Sequence, residues 1–227
     1  MRAIIIGAGR PPKKSQLQFL HSLGYTCIVA ADAGAQNAYR LHLRVSAVVG
    51  DFDSIPPAIM AHYRAQPDCE FAHYARQTDT DTEKCLRFLA ERGCESCVLT
   101  AVTGDRLDHS LSGLALLVRW SSKMHTALIS GGSIAEVAMG EISFNTTPHA
   151  CISLYGFGTR GKNSSVGIFS EGLVYPLRGE PLVFGEFESQ SNAASGDRVF
   201  LRISGSILVI REFREFQRHG FLSKMAD

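Results

Sequence analysis

The stretch Ala3-Ile4-Ile5-Ile6-Gly7-Ala8-Gly9 decides how the chain is to be read. An unbroken apolar run ends in glycines with no polar alternation, the pattern of a strand buried on both faces. The same pattern recurs outward from it. Residues 13–24 (KKSQLQFLHSLG) read as a helix closed by Gly24, 25–32 (YTCIVAAD) as a strand, 33–43 (AGAQNAYRLHL) as a helix and 45–51 (VSAVVGD) as a strand. After a connection come a helix over 80–93 (TDTEKCLRFLAERG), a strand over 96–104 (SCVLTAVTG), a helix over 106–120 (RLDHSLSGLALLVRW) and a strand over 125–131 (HTALISG). Alternation of this kind predicts a doubly wound α/β domain on a mainly parallel sheet, with ligands bound beyond the carboxyl ends of the strands. Past Gly131 and Gly132 the runs become short and alternating, separated by glycine, proline and asparagine, with no helix of convincing length. An all-β sandwich or barrel is expected there. The expected division is residues 1–135 for the α/β domain and 136–227 for the all-β domain.

Bulk properties exclude several classes. The 227 residues carry 23 basic and 22 acidic side chains, a formal net charge of +1, so nothing electrostatic points to a nucleic acid partner. The apolar core of the N-terminal MRAIIIGAGRPP is too short for a secretory signal or a membrane-spanning helix, and a cytoplasmic protein with no membrane partner is expected. Six scattered cysteines suit reduced thiols. Cys94-x-x-Cys97 lacks the second ligand pair of a zinc site, so plain packing is the expectation for it.

The chemistry gathers where predicted strands end. Asp32 closes the second, either as a helix N-cap or as a site residue. Asp51 and Asp53 emerge from the third in Gly50-Asp51-Phe52-Asp53-Ser54. One aspartate suffices for a turn; two carboxylates, i and i+2 at the ligand edge, repel unless a cation lies between them. Magnesium takes one or two carboxylates together with substrate phosphates. Thr80-x-x-Glu83 fits a capping box, but Asp81 beside Lys84 also offers a metal ligand and a phosphate partner. The fourth junction, Thr103-Gly104-Asp105-Arg106-Leu107-Asp108-His109, adds an arginine able to fork onto phosphate, two acids and a histidine that suits either structure or proton transfer. The spacing of Leu107, Leu111, Leu114 and Val118 predicts the buried face of the following helix. Four successive strand-to-helix junctions bearing acids, two of them with a cation, point to a metal-dependent nucleotide enzyme.

Taken together, Gly50-Asp51-Phe52-Asp53-Ser54, Thr80-Asp81 with Lys84, Arg106-x-Asp108-His109 and the late Gln190-Ser191-Asn192 resemble the thiamine pyrophosphokinase (thiamin diphosphokinase) family. The likeness runs through EGLVYPL at 171–177 to ISGSILVI at 203–210. It implies transfer of the pyrophosphoryl group of ATP to the hydroxyl of thiamine, giving thiamine diphosphate and AMP, by a homodimer with active sites at the subunit interface. It also implies a catalytic α/β domain and a thiamine-binding, dimerising β-sandwich. Position by position, it implies Mg²⁺ on Asp51, Asp53 and Asp81, with Asp32 and Asp108 completing an acidic site. Lys84, Arg106, Thr103 and Gly104 fall at the ATP phosphates, and Ser191 and Asn192 at thiamine. The chain departs from the family at Ala33, Gln36, Asp105, Gly113 and Gln190. Two rival readings use the same acids: another Mg²⁺-dependent nucleotide phosphohydrolase, and a non-catalytic thiamine or nucleotide sensor.

Overall fold

Each apolar run of the first half forms a parallel strand in the computed structural model, which describes residues 1–74, 78–156 and 166–222. The chain divides into two units, Met1–Gly131 and Gly132–Asp227. In the first, β1 (Arg2–Ile6), β2 (Cys27–Ala31), β3 (Ala47–Gly50), β4 (Glu70–His73), β5 (Ser96–Thr100) and β6 (His125–Ser130) alternate with α1 (Lys14–Ser22), α2 (Gly34–Arg40), α3 (Pro57–Arg64), α4 (Asp81–Glu91) and α5 (Leu107–Trp120). The spatial order is β6-β5-β1-β2-β3-β4, with every neighbouring pair parallel. The chain leaves β1 towards β4 on one side and returns through β5 on the other. The crevice where the order reverses, between β1 and β5, is the usual ligand position of such a sheet. Ile4, Ile5 and Ile6 are buried, as a central strand covered on both faces requires.

Two elements occupy the stretch expected to be a connection. Helix α3 starts with Pro57 in its first turn, where a missing N–H costs nothing, so Pro56-Pro57 opens a helix instead of marking a loop. Strand β4 is short and only partly buried at the sheet edge, so it lacks the continuous apolar signature.

The expected inner face of α5 is corrected. Leu107 and Leu111 are 82% and 56% exposed, Leu114 and Val118 are half-buried, and the residues that face the sheet are Gly113, Leu116, Leu117 and Trp120. The helix is apolar nearly all round, so two stripes of helical spacing compete, and Gly113 belongs to the inner one, its Cα side meeting Val102 and Leu128. Replacing Leu111 by lysine is accordingly expected to change stability by no more than about 0.5 kcal/mol. Leu117→Ala should cost about 2–5 kcal/mol. Urea unfolding of the two variants checks the assignment.

The second unit is antiparallel. Strands β7 (Ser133–Asn145) and β12 (Arg198–Glu212) pair along their lengths, with an irregularity between Ile203 and Ser206. The first half of β12 also pairs with β9 (Val166–Glu171), which carries β10 (Arg178–Leu182). Its second half pairs with β8 (Cys151–Gly156), which carries β11 (Ser189–Ala193). Both branches contribute to one core, with Ile152 and Leu154 from one, Ile168 and Leu182 from the other, and Leu201 and Val209 from β12. No long helix occurs among the described residues of this unit, but a short one does: α6 (Phe213–His219) follows β12 directly and buries Phe213 and Phe216. Its Glu215 carboxylate accepts from the Thr147 N–H and the Thr146 hydroxyl.

Cys94 and Cys97 are buried and unpaired, and burial raises both thiol pKa values, as packing residues require. No helix among the described residues is long and apolar enough to cross a membrane.

Candidate active site

A cleft of about 830 Å³ opens over the carboxyl ends of the parallel strands, within the size range of small-molecule sites. Its floor is the switch point. The loop after β1 is laid against the loop after β5 by hydrogen bonds from Gly7 N–H to Thr100 O, Gly9 N–H to Ala101 O and Arg10 N–H to Thr103 O. The approach is so close at Gly9 that a Cβ there would come within 2.2 Å of Thr103 O. Glycine is needed in Gly7-Ala8-Gly9 for this contact. The side-chain amide of Asn37, buried on α2, donates to Gly7 O and Gly9 O at 2.9 Å each and fixes the loop. Sequence reasoning missed Asn37; its only signal was a polar residue on the inner face of a short helix, one position beyond Gln36.

Asp32, Asp51 and Asp53 converge. One carboxylate oxygen from each lies within 4.8 Å of the others. Asp32 sits at the end of β2 with φ +41°, 1% exposed. It is not the N-cap of α2: its Oδ2 accepts from Ser54 N–H across the cleft at 3.3 Å, and its Oδ1 is buried with no hydrogen-bond partner among the described residues. Gly50 makes room for it, since a Cβ there would lie 2.8 Å from the Asp32 Cβ. Burial first, then the charges of Asp81, Asp51 and Asp53, push the Asp32 carboxyl from 3.8 up to about 6, against a lowering by the Ser54 N–H.

Lys84 bridges the remaining acid to this group. Its Nζ, on a side chain 3% exposed, donates to Asp81 Oδ1 at 2.8 Å and Asp51 Oδ2 at 3.1 Å. The Lys84 hydrogen bond holds Asp51 below the usual carboxylate range. Burial works to lower the lysine's own pKa, but its two carboxylate partners outweigh it and the net shift is upward. Thr80 caps α4 by accepting from Glu83 N–H, so one half of the expected capping box forms. The other half does not: the Glu83 carboxylate turns instead to Arg119 at 2.7 Å and Arg87 at 3.7 Å. Arg87 in turn holds Asp79, the acid two residues before Asp81, which also lines the cleft.

Thr103, Gly104, Arg106 and His109 line the same cleft. Asp108 is exposed and belongs to Arg106, whose Nη2 lies 2.6 Å from it and whose hydrogen bond keeps the carboxyl below its ordinary pKa. Asp105 stands 3.9 Å from Arg10, an exposed ion pair between two residues that line the cleft. Ser191 and Asn192 belong to β11 of the second unit. Ser191 is exposed with φ +53°. The buried amide of Asn192 is fully used: Oδ1 accepts from Tyr175 N–H and Ala193 N–H, and Nδ2 donates to Tyr175 O and Ser189 Oγ.

The raised pKa of Asp32 has a stability consequence. In the unfolded chain the carboxyl ionises near 3.8, whereas in the folded chain it keeps its proton to about 6. Folding therefore takes up a proton between these values, and stability falls as pH rises through the window. A shift from 3.8 to about 6 corresponds to about 3 kcal/mol above the window. Asp32→Asn, measured in EDTA, is expected to raise Tm at pH 8 and to give no gain at pH 3.5. A Tm at pH 8 equal to or below wild type would contradict the assigned cost.

Comparison with known proteins follows the same line as the motifs. Residues 23–129 match the family model described as thiamin pyrophosphokinase, catalytic domain. Thiamin pyrophosphokinase 1 of Caenorhabditis elegans is 24% identical over 169 residues, 71% of this chain and 67% of that protein. The solved thiamin pyrophosphokinase of Candida albicans superposes with a TM-score of 0.81 at 16% identity, covering 93% of this chain and 88% of its own. That of Geobacillus thermodenitrificans does so with a TM-score of 0.76 at 22% identity, covering 93% and 97%. At these identities the two structures speak for the fold, which is α/β with a mainly parallel sheet and additional antiparallel strands.

Proposed function

We propose that this chain, whose residues 23–129 carry the thiamin pyrophosphokinase catalytic domain, is a thiamine diphosphokinase. The observation that carries the reading is the convergence of Asp32, Asp51 and Asp53 beside Lys84 in the switch-point cleft, all inside the matched stretch. In the reaction the hydroxyl oxygen of thiamine bonds to the β-phosphorus of ATP. The bond from that phosphorus to the α–β bridging oxygen breaks, AMP leaves with the oxygen, and the hydroxyl proton is released. Transfers of this kind ask the protein mainly for positioning and charge neutralisation.

The donor set fits a hard divalent cation: carboxylate oxygens only, gathered within 4.8 Å, with the buried Asp32 Oδ1 unpartnered among the described residues. Asp51, Asp53 and Asp81 would hold Mg²⁺, with Asp32 against them, and when bound the ion neutralises polyphosphate charge and orients it. Lys84 places an ammonium beside the acids that can pass from Asp81 and Asp51 to phosphate oxygens. Arg106 offers a guanidinium for phosphate oxygens, and Thr103 and Gly104 line the same cleft. The cationic thiazolium of thiamine suits the acidic rim. Thiamine contact from the second unit falls to the exposed Ser191, while Asn192 holds the Tyr175 backbone and acts by positioning. A cytoplasmic homodimer with active sites at the subunit interface, its β-sandwich domain contributing to thiamine binding and dimerisation, completes the proposal.

The test is a product analysis. Purified chain with ATP, Mg²⁺ and thiamine should give AMP and thiamine diphosphate in equal amounts. ADP or free pyrophosphate formed without thiamine would make it a phosphohydrolase, and tight binding without turnover would make it a sensor.

A further inference from the structure

Between the two converging aspartates stands Phe52, with φ +66°, a left-handed conformation that aromatic residues avoid. Its ring is seated on β4: the centroid lies 5.6 Å from that of Phe71 at 63° and 5.8 Å from that of His73 at 47°. These are favourable spacings for aromatic pairs. Phe71 and His73 are two residues apart, so they present one face of the strand. The Arg64 guanidinium lies 5.2 Å from the Phe71 centroid. The seat is tied to the root of the acidic turn, because β4 pairs with β3 in register, Val48 with Phe71 and Gly50 with His73, and Tyr74 N–H donates to Gly50 O at 2.9 Å.

We propose that Phe52 is a positioning residue for the cation site: its ring, held on Phe71 and His73, keeps the turn left-handed and the Asp51 and Asp53 carboxylates converged on Asp32. The inference rests on the reading of these acids as metal ligands. Two neighbouring carboxylates repel one another, and a turn free to relax would part them. Strained backbone persists where the surroundings over-determine it, and here the surroundings are an aromatic seat on the adjacent strand. The buried Oδ1 of Asp32, unpartnered among the described residues, independently marks the point on which the turn converges as a place for a cation.

The experiment titrates Mn²⁺ alone into the nucleotide-free protein and reads free Mn²⁺ by electron paramagnetic resonance, with Tm measured for each variant. Asp53→Asn is expected to lose binding. Phe52→Ala and Phe52→Gly should weaken Mn²⁺ affinity about 10- to 100-fold, the range for groups that orient metal ligands. Glycine accepts the left-handed φ freely, so its failure would assign the effect to the ring and not to strain. Phe52→Tyr, which keeps the ring, should retain wild-type affinity. In turnover assays the half-saturating Mg²⁺ should rise in the same order while the KM for thiamine stays constant. If Phe52→Ala binds Mn²⁺ as wild type does and Asp53→Asn does not, the metal reading stands and the role of Phe52 is refuted. If Asp53→Asn binds as wild type does, the metal reading fails and the inference with it. Should Phe52→Ala not fold, Phe71→Leu, which removes the seat, is read in the same way.

Discussion

Asp53→Asn and Asp51→Asn are each expected to lower turnover by about three orders of magnitude or more while leaving the fold intact. The size follows from the several kcal/mol a bound metal contributes to transition-state charge, at about 1.4 kcal/mol for each factor of ten. The intact fold follows from the surroundings. Asp53 is exposed and, among the described residues, its Oδ1 accepts from the neighbouring Ser54 hydroxyl at 2.7 Å, a bond an asparagine oxygen can take over. Asp51 is half-buried, and its partner Lys84 keeps Asp81. Steady-state assays over a range of Mg²⁺ concentrations, with circular dichroism and thermal unfolding alongside, separate the two effects. Activity within tenfold of wild type in both variants would remove these acids from the chemistry.

Lys84→Met should produce a loss of similar size with a different signature. Methionine fills the buried slot but leaves Asp51 and Asp81 facing each other without the ammonium between them. Removing one member of a fully buried pair costs about 3–5 kcal/mol. Asp51 and Asp81 are 18% and 38% exposed, so a smaller loss of about 1–3 kcal/mol is expected here. The same vacated contact predicts a gain: without nucleotide, the variant should bind Mg²⁺ or Mn²⁺ more tightly than wild type, because no ammonium competes for the two carboxylates. Calorimetric titration reads that gain, and a product assay reads the loss of turnover. Lys84→Arg should not rescue, since a planar guanidinium does not fit a slot shaped for a point charge. A Lys84→Met protein with weakened metal binding would mean that the lysine supports the acids and does not compete with a cation.

Much of the α/β unit was legible because a parallel sheet covered on both faces leaves continuous apolar runs, and β1, β2, β3, β5 and β6 all carry them. What stayed hidden was short or ambiguous. Strand β4 lies at an edge, α3 begins with the residues that usually announce a loop, and α6 is a brief helix behind a long strand. In α5, Leu107 and Leu111 share helical spacing with Leu114 and Val118 just as Gly113, Leu116, Leu117 and Trp120 do among themselves. Periodicity cannot choose between two apolar stripes. The acids at the strand ends were readable from position alone. Their partnerships were not: Asp32 reaching Ser54, Lys84 spanning Asp51 and Asp81, Glu83 leaving its capping box for Arg119, and the left-handed Phe52 are all consequences of tertiary contact. Asp108 shows the same limit in reverse, since its helix position suggested the site and its side chain went to Arg106.

Crystals soaked with Mn²⁺ and a non-hydrolysable ATP analogue, examined by anomalous diffraction, put the central electrostatic claim to its most direct test. An anomalous peak is predicted at oxygen-ligand distance, about 2.0–2.6 Å, from carboxylates of Asp51 and Asp53, shared with the analogue's phosphates. Well-ordered nucleotide with no peak at these acids, or a peak bound elsewhere in the cleft, would contradict it.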